Sequence, residues 1–461
     1  MALWSAERPY DREVMTASSA ALSGRARGRR GALFGWALAV TVYLLAVLHR
    51  TSLGVAGLLA QQRFGITASQ LSVFIFLQLG VYAALQIPTG VLVDRYGPRR
   101  LLVVASLVMG SAQLLFATVP SYPVALLARF LLGAGDALTF VSVLRFAAMH
   151  FGPRRYPLIV ALTGMVGMAG NVLATLPLAL VLRHAGWTTG FGVAAVVSLL
   201  AAVAVAALLP DSTARPAPVR SIGELRSGVG GVWDRVRSAW GLPGTRLGFW
   251  VHFACMSSTT AFGVLWGSPY LVKAAGLSTA GAGTVLMCGV IGAAMASPVF
   301  GWLIGHRPIV RVPIALSVCV LTIAGWLVLV LVYGDHPPPG FVVTLFVVMA
   351  LGGPASMAAF ALARDYNHAR TLGTASGVVN VGGFLAAVLI AVGIGWALDL
   401  QGPTTAGTLR WAVLVAVGVQ AFGTVRMTVW LLRLRAFALT RQQVGEPVPV
   451  TVVRRRWDLS D

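Results

Sequence analysis

Charged residues are scarce in this chain. Only 11% of its 461 residues are Asp, Glu, Lys or Arg, whereas a soluble globular domain averages about 25%. Hydrophobic residues make up 57% of the chain, and the mean hydropathy is +0.81. This composition argues against a soluble domain and indicates an integral membrane protein.

Acidic residues and lysine are rarer still. The chain has 14 acidic and 35 basic residues, a formal net charge of +21, and Lys273 is its single lysine. An excess of this size can indicate a nucleic-acid partner. The charges lie in short loops and tails between apolar runs, however, which is where membrane topology places them. The sequence therefore predicts no nucleic-acid partner.

Cysteine is also nearly absent. Cys255, Cys288 and Cys319 all fall in apolar runs, and their spacing matches neither a metal site nor a disulfide framework. The sequence shows no GxxxxGK[ST], HExxH or GxSxG motif in a fitting context. We therefore predict no enzyme activity, no metal and no cofactor.

Twelve apolar runs follow one another along the chain. They lie near 33–60, 68–93, 101–119, 122–147, 156–182, 188–209, 246–272, 279–304, 309–333, 341–363, 372–398 and 408–434. Each is long enough to cross a bilayer as a helix. We predict an all-α membrane protein with a tail at 1–32, a six-helix bundle at 33–209, a linker at 210–245, a second six-helix bundle at 246–435 and a tail at 436–461.

The arginines orient these runs. One side carries the first tail, the linker, Arg95, Arg99, Arg100, Arg154, Arg155, Arg307, Arg311, Arg364, Arg370 and Arg454–Arg456, and the other side only Arg63, Arg183, Lys273 and Arg410. Because basic loops stay cytoplasmic, both termini are predicted to be cytoplasmic, in a monomeric multi-pass protein surrounded by the lipids of a bacterial inner membrane.

For the linker segment Ser221–Trp240, an amphipathic helix on the inner leaflet and a solvated connector both stay open.

A charged loop follows the second run. It reads Gly90-Val-Leu-Val-Asp94-Arg95-Tyr-Gly97-Pro-Arg99-Arg100 and resembles the signature loop of the major facilitator superfamily. The resemblance implies two six-helix bundles with alternating access to a midplane site, and a gate formed by these named residues. In that family the acid, here Asp94, pairs across the bundles and caps a helix N-terminus in the outward-facing state. The second-half copy, Gly301-Trp-Leu-Ile-Gly305-His306-Arg307, has a glycine at the acid position.

Asp136 is the one acid that we place deep inside an apolar run. A charge at bilayer depth costs at least about 2.5–3.5 kcal/mol, so it is a functional-site hypothesis by default. Arg129 lies two helical turns earlier on nearly the same face. The sequence Arg129-x-x-x-Gly133-x-Gly135-Asp136 resembles the organic-anion and proton symporter branch, in which the equivalent acid takes up the coupled proton. We predict that Asp136 carries a proton and that Arg129 modulates it. The open alternative is a permanent ion pair of Asp136 with Arg129 or another arginine, which would only hold the helices together.

Arg50 lies about 24 Å into the first run at 1.5 Å per residue. With His49 and Ser52 it resembles the acid-Arg-x-Asn motif of the same symporter branch, and Arg50 also resembles the helix-one arginine of sugar-phosphate antiporters. In those families the arginine binds the carboxylate or phosphate of the substrate, since a guanidinium binds anions bidentately. We predict that Arg50 binds an anion. His49 either contributes to substrate or proton binding or is a hydrogen-bonded structural residue.

Three residues of the second half are further candidates for substrate contacts. Asn380 on the eleventh run is the best polar candidate, and a helix–helix hydrogen bond is its alternative role. Trp266 and Tyr270 on the seventh run could contact the substrate, or they could pack in the bundle or at the membrane interface.

Together these features predict a secondary transporter that moves a small organic anion with protons. A proton-driven multidrug exporter is the first alternative, although Gly170 is followed by Asn171 where such exporters carry a Gly-Pro motif. A non-transporting membrane sensor is the second.

Overall fold

The computed structural model describes residues 31–175, 177–210, 228–334, 337–401, 405–450 and 452, and every regular element in these ranges is a helix. The first half contains residues 31–51 with Leu53–Phe64, Ala68–Tyr96, Pro98–Thr118, Tyr122–Ala137 with Thr139–His150, Tyr156–Thr175, and Pro177–Leu208. The helix Gly228–Gly241 follows. The second half contains Pro243–Ala261 with the short helical segments Phe262–Trp266, Gly267–Pro269 and Tyr270–Ala274, then Thr279–His306, Arg311–Val328 with Leu329–Tyr333, Pro339–Ala350 with Gly352–Ser356 and Ala358–Tyr366, Leu372–Gln401, and Ala406–Ala412 with Leu414–Gln443.

These helices form the twelve predicted membrane spans. Ten helical stretches are long and apolar enough to cross a bilayer. One of them, Tyr156–Leu208, contains both the fifth and the sixth span. The two spans are separated at Gly186, where the backbone leaves the helical conformation (φ 79°, ψ 178°). The seventh span, residues 243–274, is not among the ten and contains four hydroxyl residues in succession at 257–260. The predicted fold class, twelve spans in two six-helix bundles, is therefore confirmed.

The two halves share a hydrophobic core at the arginine-rich end, the end that carries the loops with Arg95, Arg154 and Arg370. One buried cluster there contains Phe140 of the fourth span and Phe360 of the tenth, whose rings meet edge-on at 5.4 Å. At the arginine-poor end, each half has a separate cluster. Phe74, Phe116 and Phe191 belong to the cluster of the first half, and Phe262, Trp326 and Phe346 to that of the second. The halves are thus packed together at the arginine-rich end.

The predicted linker is described only in part. Residues 211–227 lie outside the described ranges, and with them most of the amphipathic pattern. The helix Gly228–Gly241 packs Trp240 edge-on against Phe249 of the seventh span at 5.2 Å. The boundaries of the two bundles, the linker and the tails remain predictions.

Candidate functional site

An ion pair joins the first and fourth spans in the middle of the first half. Arg50 Nε donates to Asp136 Oδ2 and Arg50 Nη2 donates to Oδ1, each at 2.7 Å. The Asp136 side chain is fully buried, whereas the Arg50 side chain is 18% exposed. Two parallel charge-assisted bonds of this kind form one of the stronger polar contacts available to a protein. The two residues that the sequence singled out for anion and proton binding are therefore direct partners.

Arg50 is connected to the second half through Tyr82. The Arg50 guanidinium carbon lies 4.5 Å from the centre of the Tyr82 ring, within the range of a cation–π contact. Asn380 Nδ2 donates to Gln86 Oε1 at 2.6 Å and to the Tyr82 hydroxyl at 3.5 Å. Asn380 thus contacts, across the interface of the halves, the tyrosine that packs against Arg50. Tyr82 and Gln86 were not identified from the sequence, where a tyrosine and a glutamine one turn apart carry no distinctive signal.

Arg129 points away from Asp136. Its guanidinium carbon lies 3.8 Å from the centre of the Phe116 ring, and Nη1 donates to the His49 carbonyl and to Gln78 Oε1, both at 3.4 Å. Arg129 is 1% exposed, and within the described ranges its Nε and Nη2 have no hydrogen-bond partner. Seven residues separate Arg129 from Asp136, about 10 Å along a helix axis, so Arg50 on the neighbouring span is the nearer partner. An influence of Arg129 on Asp136 stays a prediction.

The His49 ring faces the sixth span. Its Nε2 lies 2.6 Å from the Ser198 hydroxyl, and both groups are buried. Ser52 stands where the acid-Arg-x-Asn motif has its asparagine. Its hydroxyl donates to the His49 carbonyl at 2.8 Å, a hydrogen bond within the first span. This is the contact of a hydrogen-bonded structural histidine, while substrate or proton binding by His49 stays a prediction.

Tyr270 lies in the buried cluster of the second half at the arginine-poor end, and the partly buried Trp266 packs against that cluster. Trp266 Nε1 donates to the Ala391 carbonyl at 3.2 Å. Tyr270 is 2% exposed and meets the Trp326 ring edge-on at 5.2 Å. Both therefore make the packing contacts that were the alternative to a substrate role, and a substrate role for either one stays a prediction.

Asp94 caps the eleventh span across the interface of the halves. Its Oδ1 accepts from the Gly373 backbone N–H at 2.8 Å, and its Oδ2 accepts from the Thr374 N–H at 2.8 Å and the Thr374 hydroxyl at 2.9 Å. The first N–H groups of a helix lack partners within the helix and attract negative charge. Arg145 Nε, 3.5 Å from Asp94 Oδ1, adds an ion pair. Arg145 was missed, although a buried arginine within an apolar run is a signal of the same kind as Asp136.

The other predicted gate residues differ in their contacts. Gly97 ends the second span at φ 80°, a backbone conformation that favours glycine. The Arg95 guanidinium carbon lies 5.2 Å from the Tyr96 ring centre, Arg99 donates to the Ala206 carbonyl, and Arg100 is exposed. The described contacts of these arginines are thus with the first half, whereas Asp94 makes the hydrogen bonds to the eleventh span.

Gly90 allows the second and eleventh spans to cross closely. A Cβ at this position would lie 2.5 Å from the Gly373 carbonyl oxygen and 2.9 Å from the Thr374 Cα. A side chain at position 90 would therefore separate the halves at the arginine-rich end, next to the cap made by Asp94.

We expect Gly90→Val to open the arginine-rich end. The measurement is the rate at which a maleimide labels a cysteine introduced at the buried Ala363, in a chain without its native cysteines. The rate should rise about tenfold, since a shift of about 1.4 kcal/mol changes a population by that factor. Gly80→Val is the matched control, because that glycine lies on the same span with open space around it. Equal labelling rates in the two variants would contradict the close-crossing role.

Two six-helix bundles that pack together at one end, with a buried ion pair inside one of them, form the architecture of a membrane transport protein. The chain belongs to the Major Facilitator Superfamily, whose family model matches residues 38–391. Members of this family carry solutes, and the chain is accordingly a multi-pass transport protein and not an enzyme.

Similar proteins support the family assignment. The chain is 28% identical over 158 residues to the probable sulfoacetate transporter SauU of Cupriavidus necator (34% of this chain, 37% of that protein), and 25% identical over 150 residues to the uncharacterized transporter YybO of Bacillus subtilis (32% and 34%). These alignments span about a third of either relative. The crystal structure of FucP in the outward conformation matches 87% of this chain and 99% of its own, with a TM-score of 0.62 and 15% identity. At that identity the match shows the fold alone.

Proposed function

We propose that this protein is a secondary transporter that carries a small organic anion together with a proton. The observation that carries the proposal is the bidentate pair of Arg50 and Asp136, with the acid fully buried and the arginine partly exposed. The same guanidinium that binds Asp136 is the group best able to bind a carboxylate, sulfonate or phosphate.

The anion and the Asp136 carboxylate compete for the same N–H groups. When Asp136 takes up a proton, it stops being an anionic partner, and Arg50 can offer both donors to the substrate. When the anion leaves, Arg50 pairs with Asp136 again and favours release of the proton. Anion and proton therefore assist each other's binding, and by linkage the effect is reciprocal. Each proton frees one guanidinium for one anionic group of the substrate.

The polar contacts of Arg50 extend the site into the second half. Tyr82 packs against the Arg50 guanidinium, and Asn380 bonds to Tyr82 and Gln86. In this proposal Tyr82 and Asn380 contact the part of the substrate that lies away from its anionic group. Their position at the interface of the halves lets the bound substrate influence how the halves close.

The described arrangement is an outward-facing state in this proposal. The excess of arginines in the loops supports a cytoplasmic position for the arginine-rich end, and the contact of Asp94 with the eleventh span supports a closed state of that end. SauU, a probable sulfoacetate transporter, supports an organic anion as the substrate and makes sulfoacetate the first compound to test.

We expect an organic anion to stabilise the purified protein in a thermal-shift assay, and more strongly at acidic than at neutral pH. Ligand binding to the folded state adds about 2.7 kcal/mol at a hundredfold excess over Kd, and protonated Asp136 leaves Arg50 free to bind. The panel contains sulfoacetate, other carboxylates, phosphate esters and the cationic drug ethidium. Stabilisation by ethidium alone would favour the exporter. An anion that stabilises the protein but is not transported across the membrane of proteoliposomes under a pH gradient would favour the non-transporting membrane sensor.

A further inference from the structure

The second half lacks the acid that caps a helix in the first half. Asp94 follows Gly90 by four residues, and Gly305 follows Gly301 by the same spacing. A Cβ on Gly301 would lie 2.7 Å from Ala161 Cβ, and a Cβ on Gly305 would collide with the Arg154 carbonyl oxygen. The fifth and eighth spans therefore approach so closely that a carboxylate has no room at position 305.

Arg364 of the tenth span makes a contact across the same interface. Its Nη2 donates to the Phe151 carbonyl at 2.6 Å and to the Ala148 carbonyl at 3.1 Å. Both carbonyls lie at the C-terminal end of the helix Thr139–His150. The last carbonyls of a helix lack partners within the helix and attract positive charge. Arg364 thus caps the end of the fourth span from the opposite half.

The surroundings of Arg364 direct it toward the fourth span. The neighbouring Asp365 is paired with Arg311 of its own half, so this acid already has a cationic partner. The Arg364 guanidinium carbon lies 4.6 Å from the centre of the Tyr156 ring, which holds the group over the start of the fifth span. Arg364 is therefore free to donate to the carbonyls of the first half.

We propose that Arg364 makes a second contact that holds the two halves together at the arginine-rich end; each such contact is called a latch here. Arg364 takes the place of the missing acid, with a positive charge on a helix C-terminus instead of a negative charge on a helix N-terminus. The latch of the first half is a carboxylate on the N-terminus of the eleventh span. The latch of the second half is a guanidinium on the C-terminus of the fourth span. Asp94 also contacts the fourth span through Arg145, so both latches hold the helix Thr139–His150, the half of the fourth span that follows Asp136. Removing either one releases that span at its arginine-rich end.

The test measures both ends of the protein by pulsed electron–electron double resonance in a chain without its native cysteines. One spin-label pair, at the exposed positions Arg155 and His368, reports on the arginine-rich end. The other pair, at the exposed positions Gln62 and Lys273, reports on the arginine-poor end. In Arg364→Met we expect the first pair to gain a longer distance and the second pair a shorter one, with a population ratio changed about tenfold.

Arg370→Met is the matched control, because Arg370 is an exposed arginine at the same end. Reciprocal changes at the two ends, absent from the control, support the latch, since misfolding would broaden both distributions without this pattern. Distributions in Arg364→Met that equal those of the control overturn it. Arg364→Gln, with an amide too short to bridge both carbonyls, carries the same test if the methionine variant does not accumulate in the membrane.

A second variant tests whether an acid at position 305 could hold the two halves together in place of Arg364. Gly305→Asp, added to Arg364→Met, should leave the distance distributions unrestored, because the Arg154 carbonyl occupies the space that the carboxylate needs. Restoration of the wild-type distance distributions by this aspartate would contradict the claim that Arg364 replaces an acid for which position 305 has no room.

Discussion

Asp136→Asn is expected to abolish anion uptake driven by a pH gradient, while exchange of labelled for unlabelled anion continues. Asparagine cannot carry a proton, and it leaves Arg50 without its anionic partner in every step of the cycle. The affinity for the anion should then become independent of pH, whereas the coupling in the wild type can amount to about 5–150-fold. Uptake and exchange of the anion selected by the thermal-shift panel, both in proteoliposomes, provide the measurement.

Asp399→Asn is the control for this experiment. Asp399 is an exposed acid near the end of the eleventh span, so its neutralisation removes the same charge without touching the ion pair. If anion uptake by Asp136→Asn depends on the pH gradient as strongly as uptake by Asp399→Asn does, Asp136 is ruled out as the proton carrier.

Arg50→Lys should have the second-largest effect. Lysine keeps the positive charge but loses the planar pair of donors that binds a carboxylate through two bonds. A hydrogen bond to a charged group contributes about 1.5–3 kcal/mol, so anion affinity should fall about 10–100-fold. Arg183→Lys, at an exposed arginine of the arginine-poor end, is the matched control. Titration of the selected anion against both variants, followed by thermal shift, is the measurement.

An unchanged affinity in Arg50→Lys would place the anion elsewhere. Arg129 would then be the next candidate, because it is buried and two of its nitrogens have no partner among the described residues. The same titration in Arg129→Lys would separate the two arginines.

Hydropathy and charge were sufficient to predict the twelve spans, because a bilayer requires long apolar helices and leaves arginines in the loops. The same reasoning identified Asp136, since an acid within an apolar run is conspicuous. It left open whether Arg129 or Arg50 is the partner of Asp136. Arg129 shares the face of Asp136 but is displaced along the axis, and a contact with Arg50 depends on how the first and fourth spans pack.

Contacts between the two halves were the least predictable part of the site. Asp94 could be assigned to a helix cap because its loop resembles a known motif. Arg364 looks like an ordinary loop arginine, and only the positions of two carbonyls on the fourth span reveal its contact. Tyr82 has no signal of its own in the sequence, since an aromatic residue in an apolar run is most often a packing residue.

The most direct test of the central claim is the number of protons taken up when the anion binds. Purified protein in weakly buffered solution is titrated with the selected anion near neutral pH, and a pH indicator records the protons removed from solution. Competition between the anion and Asp136 for Arg50 predicts an uptake approaching about one proton per bound anion, and none in Asp136→Asn. Binding of the anion to the wild type without proton uptake at any pH between acidic and neutral would contradict the account.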